Sequence, residues 1–127
     1  VADVIAPLLD TLPVPRQPED RARVRRLAGL LVPGEPVRAV TTGRSDDHSG
    51  TLLLAVTDRR LVGIAGDDRV LTVPLAEVAY VATSGDSRAG GAVAVHGPSG
   101  TLRLADMPFR QAQDFAAAVR AGVLALA

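Results

Sequence analysis

Cysteine is absent from the chain, which removes disulfides, thiolate zinc sites and thiol nucleophiles together. The fold must rest on packing alone. Tryptophan, lysine and asparagine are missing too, and Tyr80, Phe109 and Phe115 are the whole aromatic content. Base stacking, on which sequence-tolerant single-strand binding relies, has little material here, and a core has to be built from Val, Leu and Ala. Net charge is also missing: 14 Arg balance 14 Asp plus Glu, so no global field draws nucleic acid or an acidic membrane to the chain. The exclusive use of Arg is a skew that coding bias explains, and it is not read as a nucleic-acid signal. No uncharged apolar run approaches the roughly 20 residues that cross a bilayer, and Val1-Ala2-Asp3 lacks the basic start of a signal peptide. These absences lead to the expectation of a cytoplasmic chain that takes no metal, no cofactor and no nucleic acid.

What is present suits one domain. A length of 127 residues is served by a single core, and 47% apolar residues supply it, which argues against a disordered chain. Residues 2–10 place Val4, Ile5, Leu8 and Leu9 at helical spacing around Pro7. Residues 11–18 hold three prolines and read as an extended connector. From Pro18 to Leu31 the apolar Val24, Leu27, Ala28 and Leu31 recur at i, i+3, i+4 and i+7, with Glu19 and Asp20 at the positive end of the implied helix. Val32-Pro33-Gly34-Glu35-Pro36 stops it. The reading divides the chain into a helical extension with its connector, 1–33, and a second unit, 34–127.

In the second unit short apolar runs alternate with Gly, Asp and Ser clusters, which predicts strands at 37–42, 51–57, 61–65, 70–73, 78–83, 92–96 and 101–105. Val93 and Val95 share one face, as do Leu102 and Leu104, while Thr101 and Arg103 face water. Turns fall at 57–60, 64–70 and 96–100. After Asp106, a predicted N-cap, one stripe of Ala112, Phe115, Ala116, Val119, Val123 and Leu126 indicates a closing helix, with Arg110, Gln111 and Asp114 off the stripe. Strands followed by one amphipathic helix are economical if the sheet curls and the helix plugs its open end. The expected fold is mainly β: a seven-stranded antiparallel barrel or orthogonal sandwich capped by a C-terminal helix, with an N-terminal helical extension.

Two segments carry a family resemblance. Gly50-Thr51-Leu52-Leu53-Leu54-Ala55-Val56-Thr57-Asp58-Arg59-Arg60-Leu61 is an apolar strand, Thr-Asp, a basic pair and a Leu that opens the next strand; Val73-Pro74-Leu75-Ala76-Glu77-Val78 leads into the middle strands. In that order they resemble bacterial pleckstrin-homology-like (PH-like) domains, similar to YokE-type and GRAM-like modules, over residues 34–126. The resemblance implies a seven-stranded barrel capped by a helix, used mostly to bind proteins or lipids. Two departures matter. Phosphoinositide-binding members place several basic residues around the first hairpin loop, whereas Gly43-Arg44-Ser45-Asp46-Asp47-His48-Ser49-Gly50 holds one Arg and two Asp. Many eukaryotic members carry a Trp in the closing helix, where this chain offers Phe115.

No catalytic constellation assembles from the sequence. Adjacent Asp46-Asp47-His48 is better placed as a solvated hairpin tip than as convergent metal ligands. His96 reads as a solvent-facing strand residue. Gly85-Asp86-Ser87-Arg88-Ala89-Gly90-Gly91 lacks the strand-turn-helix setting of a nucleophilic serine and reads as a flexible connector. Arg21, Arg23, Arg25 and Arg26 form the densest basic patch, read as the solvated face of a helix packed against the barrel or a partner, or as a face that lies on an anionic membrane. Arg59 and Arg60 are turn residues first and partner or ligand contacts second. These six arginines are the candidate partner- or lipid-binding residues. The expected function is a non-enzymatic adaptor or scaffold module that binds a protein, a second copy of itself included. The alternatives are peripheral binding to the inner face of the membrane and small-molecule binding.

Overall fold

The computed structural model describes residues 20–32, 34–45, 51–65, 69–98 and 100–126. The helix expected at 2–10, the proline connector and Asp46-Asp47-His48 lie outside the described residues. Helix α1 (Asp20–Leu30) is followed by β1 (Val37–Ser45), β2 (Thr51–Thr57), β3 (Arg60–Ala65) and β4 (Val70–Pro74). A 3-10 turn, Leu75–Glu77, leads to β5 (Tyr80–Asp86), β6 (Gly90–Gly97), β7 (Gly100–Met107) and the closing helix α2 (Phe109–Ala125). The protein is mainly β, as expected: seven antiparallel strands form one sheet in the order β4-β3-β2-β1-β7-β6-β5, and α2 packs on it. A seven-stranded antiparallel sheet capped by a C-terminal helix is consistent with a PH-like topology.

Strand β1 joins two half-sheets. It pairs with β2 from Val37↔Thr57 to Arg44↔Thr51 but meets β7 only at its far end, through Arg44↔Ala105 and Ser45↔Leu104. The sheet curls at this junction, so that Leu52, Leu54, Leu61, Val81, Val93 and Leu104, drawn from five strands, share one core with Phe115 and Val119 of α2. Burying Phe115 alone stabilises the fold by roughly 2 to 3 kcal/mol. Gly91 lets the helix come this close, because a Cβ there would stand 2.7 Å from the Phe109 Cα.

The β2 run Leu52–Thr57 is buried at every position. Unbroken burial means that both faces are covered, and the apolar sequence Leu52-Leu53-Leu54-Ala55-Val56 is the pattern such a strand needs. Alternate residues Leu52, Leu54 and Val56 face α2, while Leu53, Ala55, Val62, Ile64 and Val40 form a second layer with Leu27 and Leu31. Helix α1 is thus seated on the outer face of β1 to β3.

Several local expectations are corrected. Strand β5 starts at Tyr80, because Leu75–Glu77 form a turn closed by the Val78 N–H on the Leu75 carbonyl, 3.1 Å. Asp106 does not cap α2: it belongs to β7, has φ 59° and marks an irregularity in the β6–β7 register, while Pro108 holds the N-cap position without a side-chain bond. Asp tolerates the left-handed region better than most residues, and the extra residue restores Met107 to the core face. The stripe of α2 fades toward its end, with Val123 half-buried and Leu126 exposed. Gln111, expected off the stripe, is buried; its Nε2 donates to the Thr41 Oγ1 at 2.8 Å and the Thr42 carbonyl at 3.2 Å. The segment around Ser87 is a tight hairpin turn instead of a flexible connector, because the Asp86 Oδ1 accepts the N–H groups of Arg88 (2.8 Å) and Ala89 (2.6 Å). Those bonds hold the Asp86 carboxyl below its ordinary pKa.

Candidate functional site

The six arginines singled out by sequence are dispersed in role. Arg60 is half-buried and bound to Glu35, whose side chain is fully buried (0% exposed). The Arg60 Nε donates to the Glu35 Oε2 at 3.0 Å and its Nη2 to the Oε1 at 3.0 Å, a bidentate geometry. The Thr57 hydroxyl donates to the Oε2 at 2.7 Å and the Val32 N–H to the Oε1 at 3.0 Å, so both carboxylate oxygens are satisfied. Arg60 also donates to the Leu30 carbonyl at 2.8 Å, at the end of α1. The Arg60 guanidinium first, then Thr57 and Val32, hold the Glu35 carboxyl at a pKa of about 2 despite its burial, and the same contact raises that of Arg60. This cluster is a clasp: it ties the end of α1 and the following linker to the β2–β3 turn.

Arg23 donates to the Thr51 hydroxyl at 2.8 Å, at the other end of α1. Arg25 and Arg26 are exposed, as is Arg59, 3.5 Å from the Asp58 carboxylate. Arg21 lies on α1, in a side-chain setting outside the described residues. A basic amphipathic helix enters a bilayer with its apolar face, and here Leu27 and Leu31 of that face are buried against the sheet. Among the described residues no helix is long and apolar enough to cross a membrane, and no group of His, Cys, Asp or Glu is placed to hold a metal ion.

The two ends of the sheet differ in a way the sequence did not disclose. The β5 end is attended by α2, and the Arg120 Nη2 donates to the Val81 carbonyl at 3.1 Å. At the β4 end no side chain among the described residues does the same. Beside β4 opens a cleft of about 230 Å³, between Leu71 and Val73 on one side and Val95, Pro98 and Leu102 on the other. It is mainly apolar, with Thr72, Glu77 and Thr101 also in its lining. A broader, more open depression of about 640 Å³ lies between the β5–β6 turn and the start of α2, where Arg88 and Arg110 mix with Asp106. Mixed charge and openness give it no defined chemistry.

Sequence reasoning also missed Tyr80. Its ring, 59% exposed, stacks on His96 with centroids 4.1 Å apart and planes 17° from parallel. His96 is only half-buried, on the outer face as expected, and its Nδ1 lies 2.9 Å from the Thr101 hydroxyl. The register Tyr80↔His96 brings the rings together, a pairing that no local pattern announces.

No family model, no curated protein and no solved structure matches the chain.

Proposed function

We propose that the chain is a non-enzymatic interaction module of the PH-like class, and that it binds another polypeptide through the open end of its sheet. The observation that carries this reading is the β4 edge, which stands beside an apolar cleft while the opposite edge is attended by α2 and Arg120. An edge that pairs with no further strand among the described residues presents N–H and C=O groups to a partner strand, and an adjoining pocket selects its side chains. The order of the two PH-like segments, over a strand order that suits them, supports the class. Lipid binding ranks below this reading, since α1 has its apolar face against the sheet. Small-molecule binding ranks below it too, since Phe115, Leu52 and Leu104 fill the space the sheet encloses.

The test is comparative. Immobilised wild-type chain and a Thr72→Lys variant of matched thermal stability are exposed to the same mixed polypeptides, and retained chains are then purified and added back. The reading requires a polypeptide that the wild type alone retains and that slows amide exchange at residues 70–74. A polypeptide held equally by both chains, or binding that appears only on anionic vesicles, overturns it.

A further inference from the structure

We infer that the occupant of the β4 edge is the β4 edge of a second copy of this chain, paired antiparallel about a two-fold axis through Thr72. The inference rests on the reading of the open end as a polypeptide-binding site and names its partner. The Ala65 N–H binds the Arg69 carbonyl at 2.9 Å, and the Leu75 N–H binds the Arg59 carbonyl at 2.9 Å. With the register Gly63↔Leu71 and Leu61↔Val73 between these bonds, odd-numbered residues of β4 hydrogen-bond to β3. The antiparallel alternation then turns the N–H and C=O of Val70 and Thr72, and the Pro74 carbonyl, outward.

The strand is its own complement. Read about Thr72, Val70-Leu71-Thr72-Val73-Pro74 is apolar, apolar, Thr, apolar, apolar. In the paired form Thr72 exchanges both backbone bonds with Thr72 of the second copy, and each Val70 N–H meets the Pro74 carbonyl opposite. Thr opposite Thr is a favourable cross-strand pair. Leu71 falls opposite Val73, both on the side that lines the cleft, and Val70, 41% exposed, falls opposite Pro74. The missing Pro74 N–H lies at the rim, where water reaches the Val70 carbonyl. The strand itself carries no charged side chain. A two-fold contact needs one patch that complements itself.

The absence of cysteine makes the register directly readable. In the full chain, Thr72→Cys places two thiols within bridging range across the axis, since directly opposed hydrogen-bonded residues stand about 5.5 Å apart at Cα and disulfides span about 4.4 to 6.8 Å. Under mild oxidation at dilute protein, most of the Thr72→Cys chain is expected to become covalent dimer, whereas Ser84→Cys, exposed on β5, stays monomeric. Light scattering of the wild type is expected to rise from one chain mass toward two with concentration, and Thr72→Lys to remain at one. A wild-type chain that stays monomeric with Thr72→Cys unbridged overturns the self-pairing, while the reading of the edge as a site for another polypeptide is judged separately by the retention comparison. A dimer that survives Thr72→Lys and leaves Thr72→Cys unbridged uses another surface and overturns it as well. If Thr72→Lys does not fold, the cysteine pair still decides.

Discussion

Leu53 and Ala94 occupy comparable places: each points outward from an inner strand of the sheet, β2 and β6. Leu53 is fully buried beneath α1, while Ala94 remains half-exposed on a face where Tyr80, Thr101 and Arg103 meet solvent. Among the described residues the β2–β3 region is therefore a three-layer structure, helix on sheet on helix, and the β5–β7 half is two-layered. The difference is written in the strands. Leu52 to Val56 is apolar without interruption, whereas Val93-Ala94-Val95-His96 and Thr101-Leu102-Arg103-Leu104 alternate. Extra cover has to be fastened, and the Glu35–Arg60 clasp fastens it. The lesson is that the buried Glu35–Arg60–Thr57 cluster serves attachment of a layer; its displaced pKa is a structural signature here.

The sharpest way to break the comparison is to open the clasp. Arg60→Met leaves the Glu35 carboxylate buried without its cation, and removal of one partner of such a pair costs about 4 kcal/mol. Urea denaturation is expected to show that loss, with amide exchange accelerating first in α1. If the α1 amides keep their protection relative to α2, the clasp does not hold the outer layer. Acid attacks the same point with slightly less effect. The folded pKa of Glu35, about 2, lies below its ordinary 4.5, so its contribution is complete above the ordinary value and disappears as pH falls from 4.5 toward 2. The displacement corresponds to about 3 kcal/mol. Denaturation midpoints across this range are expected to fall in the wild type and to lose most of that dependence in Glu35→Gln.

A packing change sharpens the contrast without touching charge. Leu27→Ala removes the central apolar contact of α1 and is expected to cost about 2.5 kcal/mol, near the low end for Leu→Ala because an outer helix can resettle. Ala94→Ser, at a half-exposed position with no helix over it among the described residues, is expected to stay within about 0.5 kcal/mol. Equal losses at the two positions, read from thermal or urea unfolding, would mean that the two halves are not covered differently.

These contrasts also show what sequence could reveal. All seven strands were legible, because Gly, Asp and Ser bracket apolar runs; their ends were not, because polar residues such as Arg44, Ser45 and Ser84 extend the ladders once a neighbour is present. The seating of α1 was half legible: its apolar stripe required some cover, and the unbroken β2 run required another, yet no local rule joins the two. Glu35 sits 25 residues from Arg60, in a segment whose prolines and glycine explain themselves as a helix stop. The β4 edge was illegible for a deeper reason. Edge status depends on strand order, which follows from the β1–β7 junction 62 residues apart, Arg44 to Asp106.

That junction supplies the smallest effect. The Arg44 Nε lies 2.6 Å from the Asp106 carboxylate, with both side chains more than half exposed, so the pair contributes only about 0.5 kcal/mol. Asp106 also occupies the left-handed region at φ 59°. Two variants separate the ion pair from the backbone. Asp106→Ala loses the pair and meets the steric cost that an ordinary side chain bears at positive φ, for a total of about 1 kcal/mol. Asp106→Gly loses the pair but relieves the backbone, and is expected to fall within about 0.5 kcal/mol of the wild type. If Gly is as damaging as Ala, the backbone shape is not what selects residue 106, and the exposed ion pair at the joint between the half-sheets matters more than its exposure implies. If Gly is neutral, the register change that returns Met107 to the core depends on the bend alone, and the two half-sheets are joined by backbone geometry while the outer helix is joined by charge.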